Sequence, residues 1–312
     1  MNSGSKIRVV FFGSGPVAAK SLKLLLANFD IEYVVTKKTA PHHKGIVPVM
    51  DIVEQQGLPL LAVENKSDLD KKIISIKFDS KVAILVDFGI IVSQKVIDSF
   101  KFGIVNSHFS LLPQWRGADP ITFAILSGQQ QTGVSLMLLV ESMDEGPLLA
   151  QSRFTLSNNI TAPELTERLI KVSNKLLVKH IGDYLTGKLK PYPQPATKTA
   201  SYSRKLTKSD GILDFTKTAV RLEREIRAYT DWPKSHTIIA GIDVIVTKAH
   251  SVPSSFSNTP GEIYVMQDIG ALMIQCSSGY LCVEMIKPLG KKEMSVKSFL
   301  AGYGQRLYSS NK

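Results

Sequence analysis

Two polar residues stand two apart in GIVNSHFS, Asn106 and His108, at the end of an apolar, β-branched run that reads as a strand. Residues i and i+2 of a strand share a face, so this amide and imidazole project together from one strand end. Both can donate a hydrogen bond to one oxygen, which suits them to steadying an oxyanion that develops when a nucleophile attacks a carbonyl carbon. A carboxylate from a neighbouring strand end would hold the imidazole charged, and Asp144 in VESMDEG is the candidate. Singly, Asn106 and His108 read better as a strand cap and Asp144 as the start of a turn with Gly146. The constellation and its flanks carry the chemical reading.

The elements that must position them follow from the pattern of apolar residues. IRVVFFG, IEYVVT and VAILVDFG read as strands, with PVAAKSLKLLLANF and VPVMDIVEQQG as helices between them, and GIVNSHFS and TGVSLMLLVESM continue as strands. β-branched runs alternating with helices predict a doubly wound, mostly parallel, Rossmann-like α/β sheet. Ligands of such sheets sit at the carboxyl ends of strands, where Asn106 and His108 fall. Thr161 and Glu164 form a capping box that opens a helix running to Leu185, with Leu165, Leu169, Val172, Leu176 and Ile181 near helical spacing and Gly187 closing it. The stretch 188–209 holds three prolines and no apolar period, which predicts a linker. Beyond it, a helix over Thr218 to Tyr229 precedes short strands near 236–240, 242–249, 261–267, 271–276 and 280–286, the pattern of a small OB-like β-barrel. The expected division is a catalytic domain at 1–187, a linker at 188–209 and a barrel domain at 210–312.

Composition limits the classes. At 312 residues the chain exceeds one ordinary core, and 44% hydrophobic with 21% charged residues describe a globular protein. Apolar runs such as VVFF and VAILV fall far short of the roughly 20 residues a membrane helix needs, and Gly13, Gly15 and Pro16 break the first apolar stretch too early for a signal peptide. No membrane contact and a cytoplasmic location are expected. Cys276 and Cys282 have no CxxC spacing, and no disulfide is expected. The net charge of +11 is uneven: residues 1–185 hold 20 Lys and Arg against 17 Asp and Glu, residues 186–312 hold 18 against 10. That skew implies a polyanionic partner for the C-terminal part, nucleic acid before an anionic membrane surface. GSGPVA at Gly13–Ala18 fits a dinucleotide fingerprint, but Thr36, Lys37 and Lys38 stand where its acidic ribose-binding residue is needed, so a plain glycine turn into a helix is expected. His42 and His43 are adjacent and point apart, which suits a basic loop better than a metal pair.

The run Asn106, His108, Ser110, Leu111, Leu112, Pro113, Arg116, Gly117, Pro120 and Ile121, with Thr132, Gly133 and Asp144 following, resembles the formyltransferases that use 10-formyltetrahydrofolate. Their motif N-x-H-x-S-L-L-P-x-x-R-G is followed by the Asp at this same distance. Residues 202–233, with YSRKLTKSDGILDF, LEREIRAY and WP, resemble the start of the C-terminal domain in the branch that formylates methionyl-tRNA. Departures are the loop 37–49, which lacks an Arg-rich stretch, and Phe109, Asp119, Glu145 and Pro147.

The resemblance implies Asn106, His108 and Asp144 as catalytic residues and 10-formyltetrahydrofolate as formyl donor, with no metal. Its pterin is expected near the backbone of Phe88, Gly89, Ile90 and Ile91, against Ser110, Leu111, Leu112 and Pro113 and the loop carrying Val140 and Met143. Initiator methionyl-tRNA is the implied partner of a monomer, with Lys37, Lys38, His43, Lys44, Arg116, Lys198, Arg204, Lys205, Lys208, Lys287, Lys291 and Lys292 as cations for its backbone. Glycinamide ribonucleotide formyltransferases share the constellation but lack the C-terminal domain. Formyltransferases acting on nucleotide sugars, the hydrolase domain of formyltetrahydrofolate dehydrogenase and a non-catalytic folate-binding homologue are the nearer alternatives.

Overall fold

The computed structural model describes residues 6–38, 47–197, 199–254, 259–266 and 270–309. His42, His43, Lys44 and Lys198 lie outside the described residues. Contacts divide the chain into two units: Met1–Pro120, Gln131–Thr155 and Thr166–Ser203 in the first, Ile121–Gln130, Leu156–Leu165 and Arg204–Lys312 in the second.

The first unit starts with β1 (Ile7–Gly13), whose Val9 to Phe12 have no solvent exposure, then α1 (Gly15–Leu25), with Pro16 in its first turn where no N–H is needed. There follow β2 (Phe29–Lys37), α2 (Pro48–Gln56), β3 (Leu60–Val63), α3 (Lys66–Ile74), β4 (Ala83–Val86), α4 (Gln94–Ile97) and β5 (Ile104–His108). The chain continues through β6 (Arg116–Gly117), α5 (Pro120–Ser127), β7 (Gln131–Leu138), β8 (Leu148–Thr155), α6 (Ala162–Leu185) and β9 (Tyr202–Ser203). The main sheet has the order β3-β2-β1-β4-β5-β7-β8. β1 to β5 pair in parallel, and β7 and β8 close the edge antiparallel. The expected α/β architecture is present. Strand order reverses direction between β1 and β4, the switch point at which such sheets leave a crevice. Beneath it Phe12 meets Phe88 and Phe100 edge-on, with ring centroids 5.4 and 6.0 Å away.

Among the elements not read from the sequence are β3, α3 and β8. β3 and α3 fall between the second and third strands expected, and β3 has only four residues with one buried, too little for a periodic signal. β8 buries only Leu148, Leu149 and Ala150 before turning polar. The stretch expected as a linker is ordered against the first unit over much of its length. Tyr192 and Leu148 exchange backbone hydrogen bonds of 2.9 and 2.7 Å, Ser201 donates to the Pro113 carbonyl at 3.2 Å, and β9 pairs in parallel with β6. Prolines bar a helix there but leave an extended strap whose remaining backbone groups pair with the loop after β5.

The second unit is built on α7 (Ala219–Ala228), N-capped by Thr218, which accepts the Arg221 N–H at 3.2 Å. Its Ala219, Leu222 and Ile226 pack on a sheet of β10 (Ser235–Ile239), β11 (Ile242–Val252), β12 (Ile263–Met266), β13 (Ala271–Gln275) and β14 (Tyr280–Pro288), in the antiparallel order β10-β11-β14-β13-β12. β15 (Met294–Ser295) pairs with β14, and the unforeseen α8 (Val296–Ser309) buries Phe299 in the same core. Cys276 and Cys282 are unpaired thiols. Among the described residues no helix is long and apolar enough to cross a membrane.

Gly133, in β7, is fixed by space. A Cβ there would stand 1.9 Å from the Ser152 carbonyl of β8 and 2.7 Å from Leu111. Gly133→Ala should destabilise the protein by about 3 kcal/mol, the scale of overpacking a closed site; a denaturant titration matching the parent would show that the two strands part freely.

Candidate active site

All five residues of β5 are buried, and its last three alternate Asn106, Ser107, His108. Ser107 turns to the opposite face and meets the Ser173 hydroxyl of α6 at 2.6 Å, leaving Asn106 and His108 on the crevice side, 7% and 6% exposed. The loop after β5 is held from β7 and β8. The Ser135 hydroxyl donates to the Ser110 carbonyl at 2.6 Å and accepts the Leu112 N–H at 3.0 Å, while Gln151 donates to the Leu112 carbonyl at 3.0 Å. Ser110 donates inward to the Gln114 carbonyl at 2.5 Å. Trp115 takes a left-handed turn, φ 55°, and its carbonyl accepts from His108 Nε2 at 2.8 Å. An acceptor there makes Nε2 the N–H of the ring and turns Nδ1 toward the carboxylate of Asp144.

Asp144 also has a left-handed backbone, φ 53°, in the turn that links β7 to β8. Gly146 is required behind it, since a Cβ would lie 1.7 Å from the Leu138 carbonyl. Asp144 Oδ2 accepts the Gly117 N–H at 2.7 Å and stands 3.8 Å from His108 Nδ1; Oδ1 receives Asn106 Nδ2 at 3.4 Å. The three residues expected to act together therefore converge around one carboxylate.

Gln194 completes the arrangement. Its amide donates to the Asp144 carbonyl at 2.7 Å and the Gly146 carbonyl at 3.0 Å, and its oxygen accepts from Arg116 at 2.8 Å. Arg116 also pairs with Glu145 at 2.7 Å. Sequence reasoning missed Gln194 because it lies in the proline-rich stretch; an amide held between Pro193 and Pro195 was the available hint.

The other expected residues divide by exposure. Phe88, Ser110, Leu111, Leu112 and Pro113 are buried, so this stretch offers a ligand backbone rather than side chains, and Val140 is half-buried. Gly89 is exposed with φ 75°, and Ile91 and Met143 are each 63% exposed, apolar groups left open to solvent. Among the expected phosphate-binding cations, Arg116 is turned inward and Arg204 forks onto Asp210 at 2.8 and 2.5 Å. Lys38 pairs with Glu64 at 2.8 Å, while Lys37, Lys205, Lys208, Lys287, Lys291 and Lys292 are exposed. At the glycine turn after β1, Ser14 accepts the Lys37 N–H at 2.9 Å, and the buried Thr36 occupies the position an acidic ribose ligand would need.

The sequence reading passed over Asp87 and named Asp119 only as a departure. Asp87 directly follows β4 at the switch point, in a left-handed conformation of φ 49°, its carbonyl accepting the Ser14 N–H at 2.8 Å. Its carboxyl is open at the crevice mouth but walled by protein. Poor solvation, reinforced by the charge of Asp119, pushes it up to about 6 from 3.8.

Residues 6–181 match the family described as formyl transferase, and residues 205–304 match its C-terminal domain. The chain belongs to the formyl transferase family. It is 33% identical over 303 residues to the methionyl-tRNA formyltransferase of Myxococcus xanthus, covering 96% of each chain. To that of Pseudoalteromonas translucida it is 30% identical over 302 residues, 95% of this chain and 94% of the relative. Among solved structures, the fold is shared with the N-formyltransferase of Helicobacter canadensis in complex with folinic acid and dTDP-3-aminofucose. The TM-score is 0.68 at 18% identity, with 92% of this chain and 100% of that one covered. It is shared also with HypX from Aquifex aeolicus in complex with tetrahydrofolic acid, TM-score 0.62 at 15% identity, covering 96% of this chain and 48% of that one.

The position of Asp87 has a pH signature. A carboxyl raised in the fold favours the folded state fully below its ordinary range, and this advantage is lost as pH rises from about 4 through about 6. Asp87→Asn should raise the melting temperature at pH 7.5 and give no gain at pH 4. An equal gain at both pH values would show that the carboxyl is not strained by ionisation.

Proposed function

We propose that this chain transfers the formyl group of 10-formyltetrahydrofolate to the α-amino group of methionyl initiator tRNA. The observation that carries the reading is the convergence of Asn106, His108 and Asp144 at the ends of neighbouring strands, in a family member similar over 95% of its length to methionyl-tRNA formyltransferases.

In this reaction the amine nitrogen bonds to the formyl carbon and negative charge develops on the formyl oxygen; the bond from that carbon to the folate nitrogen then breaks, the attacking amine losing one proton and the folate nitrogen gaining one. Asn106 has a second amide N–H beyond the one turned to Asp144, and it donates to the oxygen. His108 Nδ1 is too far from the carboxylate, at 3.8 Å, for an ordinary hydrogen bond. When protonated it is therefore available to the same oxygen, with Asp144 balancing the ring's charge. Asp144 accepts the amine proton through a water and returns a proton to the folate nitrogen as it leaves, and Gly117 and Gln194 fix the angle at which it does so. The donor lies along the backbone of Phe88 to Ile91 and Ser110 to Pro113, with Ile91 and Met143 covering its apolar surface. The exposed lysines of the second unit, Lys205, Lys208, Lys287, Lys291 and Lys292, contact tRNA phosphates, and Lys37 approaches the acceptor end. Arg116, committed to Gln194 and Glu145, serves as a positioning residue.

The assay is formylation of charged initiator and elongator tRNA with 10-formyltetrahydrofolate. Transfer to an aminosugar nucleotide with none to tRNA would overturn the reading. Asn106→Ala and Asp144→Asn should each lower turnover roughly a hundredfold or more, the scale for losing a donor to an oxyanion or the charge behind one, with the fold intact by circular dichroism. Near-parental turnover in either variant refutes its assigned role.

The affinity for tRNA should fall steeply with salt, by a log-log slope of about 0.7 to 0.9 per phosphate neutralised. Replacing Lys291 and Lys292 together by Ala should flatten that slope and raise the KM for tRNA while leaving the KM for folate unchanged. A slope that does not respond would remove these lysines from the RNA contact.

A further inference from the structure

Within the second unit lies a cavity of about 410 Å³, the size class of a small-ligand site, walled by α5, α7 and the segment that precedes α7. Its floor is a buried ion cluster. Glu225, 1% exposed, accepts from Lys217 at 2.9 and 3.2 Å and from Arg221 at 3.0 Å, and Arg221 also donates to the Leu126 carbonyl at 2.8 Å. Both cations keep N–H groups beyond these bonds. Above them, Tyr229 is only 4% exposed, lines the cavity, and makes no side-chain hydrogen bond to the described residues. Its ring is packed away while its hydroxyl opens to the cavity, an amphipathic placement that leaves the oxygen available to a ligand in place of water. Burial, with Glu225 and Asp210 nearby, pushes its hydroxyl up to about 12, which keeps it a donor. The lining also holds apolar side chains: Phe123 and Leu126 of α5 and Ile212, which is 55% exposed. Asp214 accepts from Thr216 through Oδ1 alone, at 3.0 and 2.6 Å, and so has an oxygen to spare.

We propose that this cavity binds one nucleoside monophosphate unit, its phosphate on Lys217, Arg221 and the Tyr229 hydroxyl and its base against Phe123, Leu126 and Ile212. Lys217 and Arg221, drawn together on Glu225, suit phosphate oxygens, the apolar lining suits a base, and the spare oxygen of Asp214 suits a ribose hydroxyl. Lys217, Arg221 and Arg204 are balanced by Glu225, Asp210 and Asp214, which favours a single phosphate over a di- or triphosphate. Two sources carry this chemistry, a free nucleotide and one unstacked nucleotide of an RNA; the second rests on the tRNA substrate proposed above.

The full chain is titrated calorimetrically with AMP, CMP, GMP, UMP and inorganic phosphate, alongside Tyr229→Phe. That variant removes only an oxygen bonded to nothing in the protein, so its melting temperature should match the parent. At least one nucleotide should bind in the millimolar range or tighter, inorganic phosphate at least about tenfold more weakly, and Tyr229→Phe about fivefold or more weakly, the scale of one hydrogen bond. No nucleotide heat up to about 10 mM, phosphate binding as well as the nucleotides, or an unchanged Tyr229→Phe would each overturn the proposal. If the nucleotide raises the KM for tRNA, the RNA is the source; if it binds and leaves that KM alone, the free nucleotide is. Failure to bind with formyl transfer intact sinks this inference alone, whereas binding without transfer sinks only the proposed reaction.

Discussion

The hydrogen bond from the Gly117 amide to the Asp144 carboxylate, 2.7 Å long, is the tie on which the rest of the site depends. It joins the loop after β5 to the turn after β7, segments 27 residues apart in sequence. With its side chain only 12% exposed, the carboxylate must find partners inside the protein, and it finds them in Gly117, Asn106 and the neighbouring imidazole. Each partner is thereby oriented in turn. Gln194 and Arg116 hold the turn from behind, so the left-handed backbone at Asp144 is over-determined by bonds on both sides.

What could be read from the sequence is what obeys local rules. Asn106 and His108 declare themselves by a spacing of two at the end of a strand, and half of the capping box expected at Thr161 is present, the Glu164 carboxylate accepting the Thr161 N–H at 2.9 Å and the Thr161 hydroxyl at 2.8 Å. Elements whose burial is marginal left no periodic trace, as with β3 and the polar half of β8. Gln194 was invisible for a different reason: its role arises from a chain reversal that brings the strap back over the catalytic loop, and no local pattern encodes that. Asp87 could have been found by applying the rule for strand ends to β4 as well as to β5. The commitment of Arg116 and Arg204 to carboxylates could not, because formal charge counts do not say which cations are already paired.

The contacts partition the chain less simply than a contiguous division would. Residues 121–130 and 156–165 group with the second unit because α7 reaches them with a row of arginines. Arg221 donates to the Leu126 carbonyl at 2.8 Å, Arg224 to that of Ser127 at 3.4 Å, and Arg227 to that of Ile160 at 2.9 Å. The first two meet the unsatisfied carbonyls at the C-terminus of α5, where positive charge also opposes the helix dipole. Gly128 makes room, since a Cβ there would fall within 2.4 Å of the Arg224 guanidinium. Part of the positive charge counted in the C-terminal region thus belongs to helix capping.

The strap that carries Gln194 and β9 has a bearing on how the protein is made. The side chains proposed for catalysis all lie at or before residue 144, and the strands that bear them lie within residues 7 to 155, yet the braces on the Asp144 turn and on the Trp115–Gly117 loop come from residues 194 to 203. For the interval in which those residues are still in the exit tunnel, the nascent chain holds its chemistry in an unbraced form. Completion of the site is therefore timed by the passage of a proline-rich segment, so it is fully braced only after more than two thirds of the chain has been translated.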